Sequence, residues 1–154
     1  MSLVISAEHL ERIRRHGCED YPNECCGLLI GRIDNGSRLV TELLPMGNSR
    51  EDFSKRNRYL ISPIELLRAD RDAQKRGLDI LGIYHSHPDH PARPSEYDRE
   101  HALPWYSYII VSVNGGTASD LASWNLRDDR SAFDREELAG EPEEENSTSL
   151  SRQK

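Results

Sequence analysis

Long apolar runs are missing: nothing in the 154 residues approaches the ~20 consecutive apolar positions that a membrane helix needs. The N-terminus also lacks the basic-then-apolar layout of a signal peptide, so a cytoplasmic protein is the expectation. Cysteines that could form a framework are missing too. Only Cys18, Cys25 and Cys26 occur, an odd number with no CxxC pair, which argues against disulfides and fits a reducing compartment. There is no basic stripe of the kind that binds nucleic acid. The net charge is −7; residues 134–145 carry −6 and residues 146–154 add +2, so the body, residues 1–133, stands at only −3. No internal repeat appears, and no linker interrupts the chain before its acidic end.

What is present suits one domain. Apolar residues make up 36% and charged residues 31%, ordinary values for a chain that buries a single core. The expected domain covers residues 1–138, and the acidic and polar tail, 139–154, is expected to be disordered. Ser6 opens a helical pattern with Leu10 and Ile13 on one face and Ile5 placed to staple its start; the pattern fades near Gly17 to Pro22. Residues 25–33 (CCGLLIGRI) read as a buried strand in which Cys25 and Cys26 are small core residues. Asp34-Asn35-Gly36 supplies hairpin-turn chemistry before a returning strand at 38–44. A polar loop follows over 46–58, then a short strand at Tyr59–Ile61.

Ser62-Pro63-Ile64-Glu65 carries three helix-start signals, with Leu66, Leu67, Ala69 and Ala73 marking the buried side and Gly77 the stop. Strands are expected at 78–87, 105–113 and 119–126, a short helix at 95–103, and an edge strand or helix near 131–138. Hairpin-linked strands mixed with helices point to an α+β fold, a mixed sheet flanked by helices.

The chemistry concentrates in 85–98, HSHPDHPARPSEYD. His85 and His87 sit two apart at a strand end, where alternate side chains share a face and both imidazoles can converge on one metal. Pro88, Pro91 and Pro94 stiffen the loop that follows. Ser95 then opens a helix, with Asp98 in its first turn, able to point back at the strand end. Ser95-x-x-Asp98 is also a capping box, and the two roles are compatible. Two imidazoles and a carboxylate suit Zn²⁺ and leave a fourth tetrahedral position for water. His90 reads as a loop-surface residue, and His9, His16 and His101 fall on helix faces. A base is needed beside such a metal, and Glu24 is the candidate. Taken alone, Glu24 reads first as just a charged residue at a strand edge.

Together these residues resemble the JAMM (MPN-plus) zinc metalloprotease family: a distant Glu24, then His85-Ser86-His87-Pro88, then Ser95-x-x-Asp98. The resemblance spans residues 3–126, including PNECCGLLIG and ISPIELLRA, and all five functional positions match. It implies a cytidine-deaminase-like fold and zinc held by His85, His87 and Asp98. It further implies that Glu24 activates water and Ser95 stabilises the oxyanion. Cleavage after the C-terminal glycine of a ubiquitin-like protein is the implied activity. PNECCGLLIG and HPARPS are similar to the small stand-alone bacterial members, some of which trim ubiquitin-like sulfur carriers; such a tail could lie as an added strand beside a sheet edge.

A non-catalytic module that binds a ubiquitin-like partner is the rival reading. A nucleobase deaminase would need a PCxxC stretch and a His-x-Glu, and neither occurs. Leu- and Ile-rich faces leave room for a homodimer.

Overall fold

A computed structural model describes residues 2–48 and 59–140. The expected polar loop falls outside these residues from 49 to 58, and the tail does so from 141 on. The chain runs β1 (Leu3–Val4), α1 (Ala7–Asp20), β2 (Cys26–Asp34), β3 (Ser37–Met46), α2 (Pro63–Lys75), β4 (Asp79–Pro88), α3 (Glu96–His101), β5 (Ser107–Asn114), β6 (Thr117–Leu126), β7 (Phe133–Glu136) and β8 (Leu138–Ala139). The cap residues act as the sequence suggests: Ser6 Oγ accepts from the His9 amide at 3.1 Å and Ser62 Oγ from the Glu65 amide at 3.5 Å. Asn35 and Gly36, with φ of 51° and 78°, turn β2 into β3; Gly115 and Gly116, at 58° and 89°, turn β5 into β6.

The eight strands form one mixed sheet in the order β7-β6-β5-β4-β2-β3-β1-β8, and the three helices complete the expected α+β architecture. β4 lies inside it, antiparallel to β2 as far as His85 and parallel to β5 as far as Pro88. The segment near 131–138 proves to be the short edge strand β7. β7 and β8 stand at opposite ends of the strand order, yet only Glu137 separates them in the chain. The sheet therefore curls until its two ends meet. Arg38 of β3 spans the closure, donating to Ser107 Oγ at 2.5 Å and lying 3.6 Å from Glu136 Oε2.

Apolar residues cover both faces of β2. Leu29 joins Leu3, Ile13, Ile109 and Val111 beneath α1, whereas Leu28 and Ile30 pack with Ala69 and Ala73 of α2. That two-sided burial explains the unbroken apolar run in the sequence. α1 passes through Gly17 because a Cβ there would lie 3.0 Å from Val113 and 3.3 Å from Ser86, so glycine lets the helix approach the sheet. Cys25 and Cys26 are fully buried free thiols, both pushed up to about 12 mainly by burial, as small core residues should be.

Two local expectations fail. Tyr59–Ile61 is not a strand: it has no ladder partner among the described residues, and the Leu60 amide bonds instead to the Asn48 side chain at 3.1 Å. Leu67 is 50% exposed, because the buried stripe of α2 runs through Leu66, Ala69 and Ala73, the i, i+3, i+7 positions. Among the described residues, no helix is long and apolar enough to cross a membrane.

Candidate metal centre

Pairing on both sides fixes the end of β4, with His85 opposite Cys26 of β2 and Ile110 of β5. Ser86 turns toward α1 and its Oγ accepts from the Cys25 amide at 2.8 Å. Strand alternation then sends His85 and His87 to the opposite face, where they are 1% and 6% exposed. Their Nε2 atoms lie 3.2 Å apart. Asp98 arrives from the first turn of α3, its Oδ2 3.1 Å from His87 Nε2 and its Oδ1 3.4 Å from His85 Nε2. All three ligand atoms fall within 4.8 Å of one another.

The α3 cap aims this carboxylate. The Ser95 amide donates to Asp98 Oδ2 at 2.9 Å and the Asp98 amide donates to Ser95 Oγ at 3.1 Å. One side chain thus caps the helix and faces the imidazoles. Because Ser95 Oγ accepts from that amide, its hydroxyl hydrogen is left to donate elsewhere.

The donor set fits a divalent cation. His87 Nδ1 lies 2.9 Å from the Pro91 carbonyl, which can only accept, so the proton sits on Nδ1 and the Nε2 lone pair faces Asp98 and His85. Burial holds His85 neutral, outweighing the charge of Asp98, and the Tyr59 ring stacks on it at 4.6 Å. Two neutral imidazoles and one carboxylate, turned toward one point at this spacing, are a set that a cation satisfies better than the residues satisfy each other.

Glu24 stands two residues before Cys26, the partner of His85, and is 4% exposed. Its Oε1 is buried without a hydrogen-bond partner, and burial, with help from the charge of Asp98, pushes the carboxyl up to about 9. A cleft of about 510 Å³ opens beside it, lined by Glu24, His87, His90, Arg93, Ser95 and Tyr97 among others. A second hollow of about 240 Å³ lies on the Asp98 side and is largely aromatic, with Tyr59, Leu66, Ile83, Tyr97, Tyr106 and Tyr108 in its walls.

The structure therefore brings Glu24, His85, His87, Ser95 and Asp98 to one place. His90 is exposed at the cleft and outside the metal group. His16 is on α1, its Nδ1 2.7 Å from the Tyr84 hydroxyl, and His101 Nδ1 donates to the Tyr97 carbonyl at 2.9 Å. Three contributions escaped the sequence reading: the Tyr59 ring over His85, the Ser112 hydroxyl and the Trp124 indole. The Ser112 hydroxyl donates to the His90 carbonyl at 2.5 Å and Trp124 Nε1 to the Ala92 carbonyl at 3.1 Å. With His87 on Pro91, three successive carbonyls of the loop are clamped to the body.

The family model of prokaryotic homologs of the JAB domain matches residues 6–127. The chain belongs to that family. Among relatives of this JAB-domain protein is a probable TtuB-protein conjugate cleaving protease of Thermus thermophilus, 37% identical over 106 residues, 69% of this chain and 67% of that one. A desampylase of Haloferax volcanii is 36% identical over 118 residues, 73% and 82% of the two chains. A CysO-cysteine peptidase of Mycobacterium tuberculosis is 30% identical over 127 residues, 82% and 84%. The solution structure of a Salinibacter ruber protein is 40% identical with a TM-score of 0.72, covering 96% of this chain and 95% of that one. The fold, though not the sequence, also matches a structure reported as a metalloprotease-like JAMM zinc site of the proteasome and signalosome: TM-score 0.54, 20% identity, 92% and 100% coverage. The JAB-domain chain is thus a JAMM-type protein by family and by fold.

Proposed function

We propose that this chain is a zinc-dependent metallopeptidase that hydrolyses the peptide or isopeptide bond after the C-terminal glycine of a ubiquitin-like sulfur-carrier protein. One observation carries the reading: two buried imidazoles and a carboxylate converge within 4.8 Å beside a cleft that holds a buried, unpartnered Glu24. His85, His87 and Asp98 would hold the metal. When bound, zinc polarises a carbonyl and lowers the pKa of a coordinated water to ~7. Glu24 takes the proton of the attacking water and returns it to the leaving nitrogen. Its metal-free preference for the protonated form falls when a cation sits nearby, which suits a base working near neutral pH. Ser95 donates its hydroxyl hydrogen to the carbonyl oxygen as negative charge builds there.

The names of the relatives, a TtuB-conjugate protease, a desampylase and a CysO-cysteine peptidase, support the substrate class. The two hollows that flank the ligands offer the tail a path across the metal group. Its three free thiols suit a cytoplasmic setting. Ile64 and Leu67, exposed on α2, supply an apolar face for a homodimer, which sedimentation velocity tests.

The test is to mix zinc-loaded protein with a sulfur carrier bearing one extra residue after its terminal glycine and to follow its mass. Wild type should remove the residue; Glu24→Gln should keep its zinc and leave the carrier intact. A carrier that binds zinc-loaded wild type and is never cut would make the chain a non-catalytic binding module.

A further inference from the structure

The metal group lies between two unlike hollows, and the peptidase reading, on which this inference rests, says which part of the substrate enters each. Hydrolysis breaks the C–N bond: the water oxygen joins the carbonyl carbon, and Glu24 carries one water proton to the departing nitrogen. The leaving residue must therefore sit on the Glu24 side, in the cleft of about 510 Å³. The aromatic hollow on the Asp98 side is left for the tail that keeps the acyl carbon.

The cleft has one cation to spare. Of its charged side chains, Glu24 is buried and Glu96 is engaged by Arg99, while Arg93 forms no ion pair among the described residues. Arg93 is also well placed to hold a fixed position. It follows three residues whose carbonyls are clamped by Ser112, His87 and Trp124, and Pro94 comes immediately after it. The clamped backbone fixes where this exposed side chain starts, and its guanidinium matches a carboxylate in geometry and charge.

We propose that Arg93 binds the free α-carboxylate of the leaving residue, so that this protein trims a C-terminal residue from its carrier in preference to releasing an isopeptide-linked lysine. An α-carboxylate is one Cα away from the leaving nitrogen, within the same cleft as Glu24. A lysine inside a target protein leaves through its side chain and brings no carboxylate there.

The decisive comparison uses three tails: a carrier ending in glycine plus one residue with a free carboxylate, the same tail as a carboxamide, and the carrier joined to a lysine side chain. Wild type should favour the acid over the amide by about tenfold or more in kcat/KM, and Arg93→Ala should bring the acid-to-amide ratio close to one. Arg93→Lys should restore part of the preference, since a point charge replaces the fork. The acid and amide tails are also titrated into zinc-loaded Glu24→Gln, with and without Arg93→Ala. That reads affinity without turnover, and the same gap should open and close. Equal handling of acid and amide by wild type, or an Arg93→Ala loss shared by both tails, overturns the role of Arg93 and leaves the peptidase standing. Failure to cut any of the three with zinc bound counts against the peptidase itself, while the titration still decides Arg93.

Discussion

Glu24 holds a proton that an unfolded chain would release. Its carboxyl is raised from 4.5 to about 9 in the metal-free fold, mainly by burial. A raised acid stabilises the fold fully below the unfolded value of 4.5, and that contribution is lost as pH climbs toward 9. Glutamine at this position has no proton to lose. With chelator present, thermal unfolding should therefore find Glu24→Gln close to wild type at pH 5 and more stable at pH 8.5, by roughly a few kcal/mol, because the wild-type fold must then take up a proton that the unfolded chain has released. A gap that shrinks as pH rises would contradict the burial of the charge. In the proposed metal group, His87→Ala removes both a candidate ligand and the clamp on Pro91. Zinc in dialysed protein should drop from about one equivalent to near none, read by metal analysis; retained occupancy would take His87 out of the ligand set.

The loop between β4 and α3 shows how far local sequence reasoning reaches. His85-x-His87 and Ser95-x-x-Asp98 are legible because each depends on short-range geometry, strand alternation in one and a helix cap in the other. Glu24 is legible only as a carboxylate out of place beside an apolar run. Trp124 was not legible at all, since it acts on Ala92 from a strand 32 positions later. Tyr59 was read as part of a strand, yet it serves as a ring over His85. Long-range partners leave no periodic trace in a single sequence. Trp124→Phe keeps the ring but strands the Ala92 carbonyl, and it should loosen the loop that carries Arg93 and leads to Ser95. Catalytic efficiency should fall roughly tenfold, as for other supporting contacts around a metal site, while the melting temperature moves by only a few degrees. An unaltered kcat/KM would show that the prolines suffice.

At the scale of the whole molecule, the α+β class and the hairpins were readable, whereas the curl of the sheet was not. Nothing in residues 133–139 announces that β7 and β8 belong to opposite ends of the strand order. β8 receives the amides of Leu3 and Ile5, which donate to the carbonyls of Glu137 and Ala139 at 3.0 Å each. Ending the chain after Glu136 should leave both donors unpaired and cost about 1–3 kcal/mol for each that stays buried; a chemical-denaturation midpoint unchanged from wild type would show that β1 needs no partner there. This closure also sets a schedule for synthesis. β1 leaves the ribosome some 135 residues ahead of its outer partner, roughly 7–27 s at ordinary elongation rates. For that interval one side of the first strand is open to any other extended chain, and crowded nascent copies on a single messenger are the nearest source of one.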